Sequence, residues 1–226
     1  MILLFLLAGC GLSSFDSELS STDSTTAGPN SPDSDSDSNS NSDTGVQSGP
    51  SSARPPQAGE LLIQELMINP SAVSDAQGEY TELRNLSTDW LNLTGVALAD
   101  EDVDRSELQP VYTDSLLVSP SGLIVVCAAS SGNGGVNCQA TINPKSTGGG
   151  FVLANSEDEV LVISATGQTL DTVRYAGPSV PTGAALGLRP SIQDPGANDL
   201  SGNWCAQVSR LSSGDAGTPG ADNDSC

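Results

Sequence analysis

The chain has 226 residues, with 28 acidic against 7 basic side chains, no histidine and a formal net charge of -21, enough for one ordinary domain plus an appendage. Without imidazole, Ser-His-Asp triads, His-containing zinc sites and His-ligated haem are excluded, and the charge repels the phosphates of DNA or RNA at every approach. What remains is carboxylate chemistry or none, and the expectation is a binding or structural module, not an enzyme, with no nucleic-acid partner.

Residues 1–9 are uncharged and mostly apolar and lead into Cys10. Nine residues of helix reach about 13 Å, too short for a bilayer, so the segment reads as a processing signal. Leu7-Ala8-Gly9-Cys10 resembles the lipobox of bacterial lipoproteins. That resemblance implies cleavage before Cys10, a diacylglyceryl group on its thiol and acylation of the new N-terminus. Two or three chains, at about 0.8 kcal/mol per buried methylene, make a stable membrane anchor. Gly11 stands where an Asp commonly causes inner-membrane retention, which implies the bacterial outer membrane or cell surface. Lipoprotein signals normally open with Lys or Arg, and none precedes Cys10, so a start upstream of Met1 is expected.

Residues 10–58, behind the lipidated cysteine, are rich in Ser and Asp and hold a single basic residue, Arg54. Such a segment cannot bury enough apolar surface to offset its ordering entropy and is expected to be a disordered linker. At random-coil dimensions it spans about 40 Å. Asp43-Thr44-Gly45 matches the aspartic-protease tripeptide, but that chemistry needs a second copy on a rigid strand-loop, and the chain has no second copy.

From residue 59 to 226 short apolar or alternating runs are separated by turn residues, with no sustained helical period. Strands are predicted at 61–67, 80–84, 90–93, 96–99, 115–118, 123–128, 150–153, 159–163, 169–175 and 184–188. Turn signals such as Asn69-Pro70 and Gly132-Asn133-Gly134-Gly135 separate them. The pattern predicts an all-β, antiparallel sandwich or barrel.

With Cys10 assigned to lipid, Cys127, Cys138, Cys205 and Cys226 remain, and three pairings are open. Cys127–Cys138 and Cys205–Cys226 are favoured because each closes a short, turn-rich loop, for about 3 kcal/mol apiece. A four-thiolate zinc site would need close C-x2–4-C pairs, which are absent. The second bridge would fasten the C-terminus to the domain.

Ile63-Gln64-Glu65 with Asn69-Pro70, followed by Glu79-Tyr80-Thr81-Glu82-Leu83-Arg84-Asn85, resembles the opening strands of the lamin tail domain. Leu91-Asn92-Leu93-Thr94-Gly95, Ser119-Pro120-Ser121-Gly122, Leu153-Ala154-Asn155-Ser156, Asp171-Thr172-Val173-Arg174-Tyr175 and Gly214-Asp215-Ala216-Gly217 resemble later pieces in the same order. The resemblance implies an immunoglobulin-like antiparallel β-sandwich. Animal lamins use this domain for protein and some nucleic-acid contacts. Bacterial relatives are secreted or membrane-associated and often fused to hydrolases. A protein or envelope-polymer partner is therefore expected.

Two chemical alternatives are carried by carboxylates. Asp100, Asp102 and Asp104 place oxygens at alternate positions as calcium loops do, which would suit a calcium-dependent adhesion domain, although Arg105 occupies the place of an EF-hand's turn glycine. Otherwise no cofactor is expected. Glu65 and Glu82 sit mid-strand among apolar neighbours, where each must be partnered or face water. They are the residues a carboxylate hydrolase would use, and Arg84 is a nearby candidate partner. Tyr80 and Trp90 read as core anchors.

Overall fold

A computed structural model describes residues 50–101, 104–142 and 150–226. Cys10, the expected tether up to residue 49 and Asp102 lie outside them. The fold is an all-β, immunoglobulin-like sandwich. Its larger sheet has seven strands. In spatial order these are β13 (Trp204–Ala206), β12 (Leu186–Leu188), β1 (Leu61–Met67), β2 (Tyr80–Asn85), β8 (Leu123–Cys127), β9 (Ala140–Thr141) and β6 (Gln109–Pro110). Facing it is a four-stranded sheet of β11 (Thr169–Ala176), β10 (Glu157–Ile163), β4 (Ala97–Ala99) and β5 (Arg105–Glu107). β3 (Leu91–Asn92) and β7 (Leu117–Val118) form a separate pair. The one α-helix among the described residues, α1 (Asp75–Gly78), joins β1 to β2. Pairing is antiparallel except between β8 and β9.

The register explains why β1 is buried along its whole length. On the inner face Leu61, Ile63, Leu66 and Ile68 meet Leu83, Ile124 and Val126 of neighbouring strands and Val160, Val162 and Val173 of the facing sheet. The step from odd to even positions comes from a β-bulge between Ile63 and Glu65, with Gln64 as the extra residue. The outer face would normally meet water, yet Met67, Tyr80, Val125 and Cys127 form a second small core there. Two covers make it. One is the loop closed by Cys127–Cys138, and the other is the strap of residues 207–226, fastened by Cys205–Cys226.

Four sequence expectations change. The domain begins before residue 59: Arg54 donates its backbone N–H to Trp90 O and its guanidinium to Glu60 and Asp89, so ion pairing orders a stretch that composition assigns to the linker. Residues 150–153 form no strand, although Phe151 and Leu153 are buried; their apolar character reported burial and not extension. β5, β6, β9 and β13 are additions, each two or three residues long, too short for any period to register. Trp90 is only half-buried, whereas Tyr80 is inside.

Candidate functional site

The register sets Glu65 of β1 directly opposite Glu82 of β2 on the outer face, and both side chains have no solvent exposure. Two carboxylates survive there because the strap supplies donors. Glu65 accepts from the Tyr80 hydroxyl, from the Thr218 hydroxyl and from the Thr218 N–H at 2.8 Å. Glu82 accepts from the Gln64 amide at 2.6 Å and from the Gly220 N–H. Arg84 is not their hydrogen-bond partner. Paired across from Leu62, beyond the bulge, it donates to the Gln64 amide oxygen and to Asp222 on the strap. Gly217 passes so close to the Tyr80 hydroxyl that a Cβ has no room. Burial raises both carboxyls, Glu82 to about 7, against the pull of these donors. Sealed and saturated, the pair holds the strap down.

The bulge creates a second polar knot. Its displaced backbone groups need partners, and residues distant in sequence provide them. Asp171 accepts the Ile63 N–H at 2.7 Å, and the Asn198 amide bridges Asp171 at 2.8 Å and Ile63 O at 3.3 Å. The Asn223 amide donates to Gln64 O at 2.7 Å and Leu188 O at 2.8 Å. Burial pushes Asp171 up to about 7. Replacing Asp171 by Ala strands a buried N–H and an amide, and is expected to cost about 2–4 kcal/mol in urea melts. Asp171→Asn, which keeps an acceptor, should cost less than half of that.

Asp100 and Asp104 close a tight turn on each other: Asp104 N–H donates to Asp100 Oδ1 at 3.1 Å and Asp100 N–H to Asp104 O at 3.0 Å. Among the described residues no group of three acidic or cysteine side chains is placed to hold a metal ion.

Two concave surfaces adjoin the strap and the sheet edges. One, of about 500 Å³, runs between the Gly134–Asn137 side of the disulfide loop and the strap, past Ser209, Thr218 and Asp224. It mixes polar and apolar surface, and its Asp224 carboxylate is already taken by Val208 N–H, Ser209 N–H and the Ser209 hydroxyl. The other, of about 510 Å³, is apolar and lies between β11 and the β12–β13 edge, with Tyr175 and Trp204 among its lining.

The family model described as Lamin Tail Domain matches residues 54–177. The chain belongs to the lamin tail domain family. No curated protein matches it. The lamin tail match opens at Arg54, the residue whose ion pairs begin the ordered domain, and closes just after β11. The family fold is a binding or structural sandwich. β12, β13 and the strap follow the matched region, so the apolar groove is a seam between the lamin tail part and what comes after it. Sequence reading singled out Glu65, Glu82 and the four cysteines. It missed Arg54, Asp171, Asn198 and Asn223, whose partners are set by register and by strap placement.

Proposed function

We propose that this protein is a lipid-anchored, non-catalytic module of a bacterial outer membrane or cell surface, presenting its lamin tail sandwich to a protein or envelope-polymer partner. The observation that carries the reading is the order of parts: the lipobox-like Leu7-Ala8-Gly9-Cys10, then a Ser/Asp-rich stretch, then a family whose fold serves binding. The oxidised Cys127–Cys138 and Cys205–Cys226 pairs suit an exported location. The sealed state of Glu65 and Glu82 favours a structural use for the best-placed carboxylate pair over hydrolysis. Labelling cells with radioactive palmitate tests the anchor. The expected result is label on the wild-type protein and none on Cys10→Ala; equal label on both removes the anchor from the proposal.

A further inference from the structure

The apolar groove lies where the sandwich is open. β11 is the terminal strand of the four-stranded sheet and β13 the terminal strand of the seven-stranded one, so a strand edge borders the groove on each side. Its floor and walls are Val173, Tyr175, Pro178, Leu186 and Trp204. Leu186 and Trp204 reach it from the inner face of their sheet, continuous with the main core. An aromatic-lined channel flanked by strand edges has the shape of an extended peptide, which can add hydrogen bonds to an edge while seating alternate side chains below.

Charge selects the peptide. Arg174 is the cation on the lining, and Glu101 and Glu159 already pair with it. Glu157 and Asp158 sit across from Ala176 and Tyr175 in the β10–β11 ladder, and exposed Asp199 lies just before Leu200 and Ser201 at the other end. Arg189 does not compensate. It follows Leu188 on β12, so the pleat sends it to the opposite face, where it borders a separate small pocket with Arg84 and Asp222. The lining thus carries one neutralised cation and no carboxylate of its own, while Glu157, Asp158 and Asp199 flank it in the ladder and along the chain, on a protein of net charge -21. A second copy of this chain would be repelled by that field.

We infer that the groove between β11 and β13 is a docking site for an extended peptide segment of a partner that alternates apolar with basic side chains. The inference rests on reading the domain as a binding module and supplies the chemistry of its partner. Because Trp204 lines the groove and Trp90 is the other tryptophan, the full chain carrying Trp90→Phe reports occupancy through Trp204 fluorescence. The probes are the peptides Ac-KVKVK-NH2 and Ac-EVEVE-NH2. The expected result is a saturable emission change with the basic peptide alone, weakened about tenfold by raising salt from about 50 to about 500 mM.

Gly202→Phe should abolish the response. A Cβ at Gly202 meets nothing within 4 Å, so the ring can enter the groove without disturbing the backbone, and an unchanged melting temperature verifies this. Asp199→Lys with Glu157→Lys should weaken binding about fivefold or more. Equal response to both peptides, no response to either, or a response that survives Gly202→Phe would overturn the inference. So would a dimer in sedimentation, or binding to phosphatidylcholine vesicles, that Gly202→Phe abolishes; those outcomes assign the groove to a second copy or to lipid. Palmitate labelling is read independently, so failure of the anchor and failure of the groove are told apart.

Discussion

Lowering the pH from 8 to 5 is expected to raise the melting temperature of this protein. Four carboxyls buried in the fold have raised pKa values: Glu65, Glu79 at about 8, Glu82 at about 7 and Asp171 at about 7. Burial is the leading cause in each. Glu79 is 4% exposed and accepts the Leu153 N–H at 3.2 Å, while the carboxylates of Asp75 and Asp158 push it further up.

Unfolded, these groups titrate near 4–4.5. Between that point and pH 8 the folded state therefore holds more protons than the unfolded one, and stability falls as pH rises. The contribution is fully present below about pH 4 and gone above about pH 8. For Glu79 alone the difference amounts to about 4–5 kcal/mol at most, and repulsion within a chain of net charge -21 acts in the same direction. Glu60 and Asp224 are lowered by their partners and work the other way, but they lose charge below the window, where the melting temperature should turn over. Thermal melts of wild type and Glu79→Gln at half-unit steps from pH 4.5 to 8.5 check this. Gln keeps an acceptor for Leu153 and cannot ionise, so its curve should be flatter by about 10 °C over the range. Parallel curves would mean Glu79 titrates normally.

Loosening the strap should produce the second large effect. Cys226→Ser opens a loop of sequence separation 21 and is expected to cost about 3 kcal/mol. Asn223→Ala leaves Gln64 O and Leu188 O without their donor, for about 2–4 kcal/mol. The combination is the informative measurement. Once the strap is free at its end, Asn223, Thr218 and Gly220 lose their seats together, so the double variant should cost at least about 1 kcal/mol less than the sum of the singles. Strict additivity in urea melts would show that the disulfide and the hydrogen bonds act on separate units.

The sandwich was legible in the sequence wherever a strand is long enough to display a pattern. Val160-Leu161-Val162-Ile163 and Leu123-Ile124-Val125-Val126 declare themselves, and the lamin tail order follows from Glu79-Tyr80-Thr81-Glu82-Leu83 and the pieces around it. The disulfide partners were legible because short loops limit what four cysteines can do. The covering of the outer face was not. β1 reads as a fully apolar strand interrupted by Gln64-Glu65, and nothing local reveals that the interruption is a bulge or that Thr218, 153 residues on, reaches Glu65. Arg54 was hidden by its neighbours: a Ser/Pro-rich context signals disorder, and one guanidinium held by two carboxylates outweighs it only once Glu60 and Asp89 are brought near.

The position of β1 also bears on force. It lies between β2 and β12, hydrogen-bonded on both sides, and the chain enters it from Arg54, itself clamped to Glu60 and Asp89. A pull on the segment before Arg54 meets that clamp first and then runs along the β1 axis. Ladder hydrogen bonds lie perpendicular to the strands, so this load shears many of them at once instead of unzipping them singly. Loaded in this way, the ladders on both sides of β1 have to give together before the strand can leave the sheet.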